Sequence, residues 1–195
     1  MWQYVTPGIP DAQFEQLPGI PLSQREVRVL ILSALRMEAE SILWDIGAGT
    51  GTIPVEMGLL APKSTILAIE RDEDVAKLIR RNCDRFQVAN VQVIEGNAPD
   101  CLTDLMPRPT HICLEGGRPL KDILYAAWEA LQPGGRLVAT VNNLENLYGI
   151  SEGLSTLQAR NIEVIQSAVN RLETRGIHQT FAAVNPMFIL SGEKL

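Results

Sequence analysis

The stretch LWDIGAGTGTIPVE, residues 43–56, decides the fold. An apolar run enters a turn that carries Gly47, Gly49 and Gly51 at alternate positions, and an amphipathic run leaves it. Glycine takes positive φ without steric cost and, having no Cβ, lets a ligand lie against the backbone. Such a turn suits a nucleotide-bearing cofactor. Several cofactors use glycine turns, so the rest of the chain must choose among them.

Outward from this turn the chain alternates. Strand-like runs lie at 41–46, 65–70, 91–95, 110–114 and 136–141, and helical stretches at 52–60, 73–86, 119–131 and 144–159, with a short turn near 99–105. Strand-then-helix repetition predicts an α/β fold, a parallel sheet with helices on both faces. Pro133-Gly134-Gly135 stops a helix and turns into the fifth strand. Past residue 160 the pattern changes: IEVIQSAVNRL and TFAAVNPMFIL are strand-like with no long helix between them, and are expected to pair as a C-terminal antiparallel hairpin. Before the first strand, SQRE at 23–26 reads as a capping box that starts a helix sharply at Ser23, with Glu26 reaching back. Residues 1–22 carry Pro7, Pro10, Pro18 and Pro21 among Trp2, Tyr4, Phe14 and Leu17. They are expected to form an irregular arm that packs on a single domain spanning 23–195.

The composition narrows the classes. Hydrophobic residues at 46% and charged residues at 21% are those of a globular chain with a sizeable core. Seventeen Lys and Arg against 23 Asp and Glu give a net charge of −6, which argues against a general nucleic-acid binder. No apolar run approaches the ~20 residues of a membrane span, and MWQYVTPGIPD resembles no signal peptide, so a cytoplasmic protein is expected. Cys83, Cys101 and Cys113 show no CxxC spacing, and with only His111 and His178 a metal site is not expected.

The cofactor follows from the spacing. The dinucleotide fingerprint GxGxxG fails at its third glycine, where Thr52 stands. Asp45-x-Gly47-x-Gly49-x-Gly51 is similar instead to the first motif of class I S-adenosylmethionine-dependent methyltransferases, and Ala48 and Thr50 fill the turn. Glu70 ends the second strand, where a carboxylate accepts hydrogen bonds from ribose hydroxyls; it also precedes RDEDVAKL, where an acid would stabilise a helix N-terminus. Asn97 and Ala98 follow the third strand, at the expected place of adenine contacts or of an ordinary turn. Asp45 either contacts the ligand or orients the turn by accepting backbone N–H bonds.

Six segments then carry a family resemblance: GIPLSQREVRVLILSALRM, LWDIGAGTGTIPVE, AIERDEDVAKLIRRN, VIEGNAPD, PGGRLVATVNNLENL and NPMFILSGEK. Together they resemble the decarboxylating (cobalt-)precorrin C-15 methyltransferases of cobalamin biosynthesis, which have a Rossmann-like class I methyltransferase fold. The resemblance implies methyl transfer from S-adenosyl-L-methionine to C-15 of a precorrin, with loss of carbon dioxide from the C-12 acetate. It implies cofactor contacts at Ser23, Gly47, Ala48, Gly49, Thr50, Gly51, Glu70 and Ala98. It also implies a homotetramer and, because some relatives carry a fused second methyltransferase module, a separate precorrin C-5 methyltransferase as partner. No residue is assigned to either chemical step. A tetrapyrrole polycarboxylate needs cations at the cleft; Arg118, Arg171 and Arg175 are the candidates, each otherwise a solvated charge. One departure stands out: relatives often show GGSGG after the fourth strand, where this chain reads Glu115-Gly116-Gly117-Arg118-Pro119. Two alternatives share the core: a tRNA or protein-carboxylate methyltransferase, and a non-catalytic adenosine-ligand-binding protein.

Overall fold

The computed structural model describes residues 2–195, the side chain of Arg175 lying outside the described set. Five strands run parallel: β1 (Ile42–Ile46), β2 (Thr65–Glu70), β3 (Val91–Glu95), β4 (His111–Leu114) and β5 (Arg136–Val141). Between them run α2 (Thr52–Leu60), α3 (Glu73–Phe86) and α4 (Leu120–Ala130), a 3-10 turn at Asp100–Leu102 standing between β3 and β4. Helix α1 (Arg25–Leu35) precedes the sheet and α5 (Leu144–Thr156) follows β5. The order β3-β2-β1-β4-β5 puts the reversal of winding between β1 and β4, where open α/β sheets bind ligands.

Alternation along the strands sorts the core into two layers. Trp44 and Ile46 face α4 and α5 with Leu67, Ile69 and Ile112, whereas Leu43, Ile66 and Cys113 face α1 and α2 with Ile31, Leu35 and Ile53. Asp45 shares the face of Leu43, so this carboxylate points into the layer beneath α1.

The two C-terminal runs pair antiparallel with each other as expected, and the pairing is divided into two parts. Each strand-like run splits in two, giving β6 (Arg160–Ser167), β7 (Asn170–Arg175), β8 (His178–Ala183) and β9 (Met187–Glu193). Strand β9 inserts between β5 and β6 and pairs antiparallel with both, closing a seven-stranded sheet. Strands β7 and β8 form a separate two-stranded ribbon, closed at its neck by Val184 N–H donating to Val169 O at 2.9 Å. Pro186, which has no N–H to contribute to a ladder, stands between β8 and β9. Helix α5 ends at Thr156, short of 159, as Gln158 takes φ 56°.

The capping box does not form. Helix α1 begins at Arg25 with Gln24 at its N-cap and no side-chain cap. The two box residues are engaged elsewhere: the Ser23 hydroxyl donates to Glu115, and Glu26 is held by Arg171. Asp11 of the arm substitutes for the missing cap, its Oδ1 accepting the Arg25 N–H at 2.9 Å. Arg171 bonds Asp11 as well (3.0 Å), so β7, the arm and α1 meet in one ion cluster that lowers the Glu26 carboxyl to about 2.

The arm is fastened by a buried ion pair. Arg28 of α1, fully buried, donates from Nε to Glu56 of α2 at 2.5 Å, and also to the Ile9 and Ser23 carbonyls. Glu56 accepts the N–H groups of Gly8 (2.6 Å) and Ile9 (3.0 Å). Phe14 lies under the guanidinium, 5.0 Å away, and against Phe86 of α3. Removing one member of such a pair strands a buried charge, at about 3–5 kcal/mol, whereas replacing both with apolar groups of similar size costs far less. Glu56→Leu is therefore expected to lower unfolding free energy by about 3–5 kcal/mol, and Arg28→Met/Glu56→Leu to lose less than the single change. Urea unfolding of the three proteins measures this, and equal loss in single and double variants would show that the pair contributes only packing.

Candidate active site

The site lies at the carboxyl ends of β1, β2 and β4. Gly47, Gly49 and Gly51 take φ of 77°, 52° and 81°. Gly47 and Ala48 donate N–H bonds to Ile69 O (3.0 and 3.2 Å), which ties the turn to β2, and Gly51 N–H closes it on Ala48 O at 2.8 Å. The glycines are required for different reasons. A Cβ on Gly51 would stand 2.9 Å from Ile79 of α3, so this glycine serves packing of helix against turn. One on Gly49 would stand 3.1 Å from the Pro21 carbonyl of the arm, which also accepts the Thr50 hydroxyl at 2.8 Å. Asn82 of α3 donates to Thr50 O and to Glu15 O, fastening arm, turn and helix together.

Glu70 serves the turn that carries it. Its Oε1 accepts the N–H groups of Arg71 (2.9 Å) and Asp72 (3.2 Å), and its Oε2 accepts Gly49 N–H at 3.2 Å. Asp72, not Glu70, caps α3, accepting from Asp74 and Val75. Oε2 therefore keeps acceptor capacity beside the glycine turn. Asn97 is exposed and Ala98 half-buried at the end of β3, joined to β2 through Gly96 N–H donating to Glu70 O at 3.0 Å. Glu70, Asn97 and Ala98 thus border the same strand ends as the glycine turn.

Ser23 is drawn to a residue that sequence reasoning did not assign. Its hydroxyl donates to Glu115, the residue after β4, whose own N–H bonds Ile46 O at 3.1 Å. Asp45 and Cys113 are direct register partners on β1 and β4, so their side chains share one face. One ligand atom from each of Asp45, Cys113 and Glu115 falls within 4.8 Å of the others. Among the described residues neither Asp45 carboxylate oxygen, both buried, has a hydrogen-bond partner of good geometry, the Cys113 thiol lying close beside them. Burial raises its pKa well above the usual carboxylate range, the neighbouring Glu115 and Glu70 charges raise it further, and the adjacent Cys113 thiol offsets part of this. Burial pushes Glu115 up to about 7, against the Ser23 hydrogen bond and the Arg28 charge. An acid closing an apolar strand, as Glu70 does, is the signal that would have singled out Glu115.

Of the three arginines, Arg171 is committed to Asp11 and Glu26. Arg118 is exposed in the loop after Glu115 and enters no ion pair among the described residues. Arg175 lies outside them as a side chain.

A parallel sheet in this order, an antiparallel strand inserted beside β5, and a glycine turn facing an acid at the end of β2 define a Rossmann-like class I methyltransferase. The chain belongs to the precorrin methyltransferase domain family, which matches residues 16–194. It is 36% identical, over 99% of its length and 98% of the relative's, to a probable cobalt-precorrin-6B C(15)-methyltransferase (decarboxylating) of Saccharolobus solfataricus. Among solved structures, precorrin-6y C5,15-methyltransferase of Geobacter metallireducens aligns with TM-score 0.86 and 32% identity, covering 99% of this chain and 100% of that one. Precorrin 8W decarboxylase of Methanobacterium thermoautotrophicum aligns with TM-score 0.86 and 27% identity, covering 94% and 98%. Among the described residues, no helix is long and apolar enough to cross a membrane.

The Glu115 environment has a stability consequence. A carboxyl whose folded pKa is raised holds a proton that the unfolded chain has lost, so folding is penalised as pH climbs from about 4.5 to about 7, and the penalty is constant above that. Glu115→Gln keeps an acceptor for Ser23 and removes the charge. It is expected to melt above the wild type at pH 8 and together with it at pH 4. Equal melting temperatures at pH 8 in scanning calorimetry would show that Glu115 ionises freely.

Proposed function

We propose that this chain transfers a methyl group from S-adenosyl-L-methionine to C-15 of a (cobalt-)precorrin and releases the C-12 acetate carboxyl as carbon dioxide. The observation that carries the reading is the Glu70 carboxylate: it ends β2, bonds the Gly49 N–H, and keeps an acceptor direction where an adenosine ribose needs one. The family and the near full-length relatives named for this reaction supply the substrate. The donor set fits the cofactor. Open acceptors on Glu70 suit ribose hydroxyls, and the unpartnered Asp45 oxygens suit a cationic ligand.

In this reading Gly47, Ala48, Gly49, Thr50 and Gly51 hold the cofactor through the turn, Glu70 its ribose, Asn97 and Ala98 the adenine, and Ser23 closes over it from the arm. Bound, the cofactor supplies an electrophilic methyl on a sulfonium. The protein's part is alignment and exclusion of water: methyl transfer needs an in-line approach, and the sulfonium charge that disappears in the transition state favours a dry site. Arg118, exposed and without an ion pair among the described residues, is the candidate for substrate carboxylates.

The assembly follows from the sheet edge. Strand β6 ends the sheet, and Ile162, Val164 and Ile165 are exposed on it, as are Leu172 and Phe181 on the β7–β8 ribbon. An apolar edge of this kind is an aggregation hazard unless another surface covers it. A homotetramer joined through β6–β9 and the ribbon covers it, and a separate C-5 methyltransferase would deliver the substrate. Light scattering at micromolar concentration decides between this and a monomer.

Mass spectrometry of the product formed from a precorrin-6B-type substrate tests the whole reading, because methyl gain and carbon dioxide loss appear together. Binding of S-adenosylmethionine without any product would favour the non-catalytic alternative. Glu70→Ala is expected to weaken S-adenosylmethionine binding by about 1–3 kcal/mol in calorimetry, with no measurable NAD binding to either protein. An unchanged dissociation constant would confine Glu70 to ordering its turn.

A further inference from the structure

The start of helix α1 is set by a residue far along the chain. Left to itself, Ser23-Gln24-Arg25-Glu26 would close a capping box, the Ser23 hydroxyl on the Glu26 N–H and the Glu26 carboxylate on the Ser23 N–H. Gln24 stands at the N-cap instead, extended and capping nothing, and its buried Oε1 has no hydrogen-bond partner among the described residues. This helix end is poorer than its own sequence allows, so a contact from outside must hold it. Arg171 of β7 supplies that contact. Its Nε (3.1 Å) and Nη2 together engage the Glu26 carboxylate, and Nη2 also bonds Asp11 at 3.0 Å. Asp11 in turn accepts the Arg25 N–H at 2.9 Å, the kind of group an N-cap side chain satisfies. Bonds between such charged groups are roughly twice as strong as neutral ones. Arg25 touches Glu26 as well, at 2.9 Å, but it is the neighbouring residue of the same helix and follows Glu26 in either arrangement. Arg171 does not follow, because it belongs to the two-stranded ribbon, opposite Ala182 and near the neck that Val184 and Val169 close.

We infer that Arg171 is a positioning residue for the methyl donor: it takes Glu26 out of the capping box and so leaves the Ser23 hydroxyl free to turn towards the site. This rests on the methyl-donor reading above, in which Ser23 closes over the cofactor. Two arrangements compete for one hydroxyl. As an N-cap it would bond its own helix and leave the site. With Glu26 held by the ribbon, it crosses to Glu115 after β4. The two arrangements are close in conformation. Gln24 already has a helical φ of −60°, so a change in its ψ from 147° would add it to α1 and make Ser23 the cap. Arg171 decides between them from outside the helix, through the residue that the box cannot do without.

Calorimetry on the full chain with S-adenosylmethionine tests this in a double-variant cycle of Arg171→Met and Ser23→Ala. Each single variant is expected to weaken binding about fivefold, in the range of one neutral hydrogen bond, and the double variant no more than either. A residue that merely fastened the arm would weaken binding by the same factor whether or not Ser23 kept its hydroxyl. Equal loss from Arg171→Met in both backgrounds, or no loss in either single variant, overturns the inference and leaves the donor reading intact. A crystal structure of Arg171→Met gives a readout that needs no ligand. Helix α1 is expected to begin one residue earlier, with Ser23 at its N-cap and the hydroxyl withdrawn from Glu115. A helix that still begins at Arg25, with Ser23 on Glu115, overturns the inference. Failure of the wild type to bind S-adenosylmethionine overturns both the inference and the donor reading.

Discussion

Arg28 and Glu56 determine where the first twenty or so residues go. Glu56 sits one turn into α2 and Arg28 one turn into α1, both facing inward where a lone charge could not persist. Each charge is satisfied partly by the other and partly by backbone of the arm: Glu56 takes the Gly8 and Ile9 N–H groups, Arg28 the Ile9 and Ser23 carbonyls. The arm is thus the solvent shell of a buried ion pair. Its path past α3 then carries the Pro21 carbonyl onto Thr50 and the Ser23 hydroxyl onto Glu115. The geometry of the site's upper wall is a consequence of a charge pair deep beside it.

The three glycines of the turn all take positive φ, which disfavours a side chain at each. They look equivalent in the sequence, yet each faces a different neighbour. Gly51 is pressed by Ile79 of α3, Gly49 by the arm, and Gly47 lies against the Gly116 backbone of the loop after β4. The turn is a joint among three elements before it is a ligand site. A Cβ at Gly49 would press on the arm's Pro21 carbonyl even without a ligand, so loss of binding in such a variant would report on the position of the arm as well as on direct exclusion of the cofactor.

How much of this was legible depended on whether the determining contact was local. The parallel strands and α2 to α4 could be read because apolar period and turn residues specify each element within its own ten or so residues. Ser23 could not. SQRE is a sound local capping box, and it yields because Glu26 finds Arg171 and Ser23 finds Glu115, partners far along the chain. The two C-terminal runs were recognised as strands but not as four, because insertion of β9 between β5 and β6 is a matter of long-range pairing. In the site, the sequence singles out Glu70 as a candidate by its place at a strand end. Glu115 occupies the equivalent place after β4, but there the sequence reads first as a departure from a glycine-rich loop.

Under the proposed function, the distribution of charge at the strand ends would separate a cationic cofactor from a polycarboxylate substrate. Asp45, Glu70 and Glu115 gather on the β1–β2–β4 side, which suits a cationic cofactor and repels a polycarboxylate. Arg171, which by chain position belonged with the substrate cations, is neutralised by Asp11 and Glu26 and serves to hold the ribbon to the arm. The exposed Arg118, next to Gly117 and two residues beyond Gly116, is then the cation that the proposed function leaves for a polyanion, on the β4–α4 loop and apart from the acids. Under the proposed function, a substrate approaching there would leave its carboxylates at the cation and bring its apolar ring edge inward. This is the order in which a macrocycle must arrive if a carbon atom, and not a carboxylate oxygen, is to meet the methyl group.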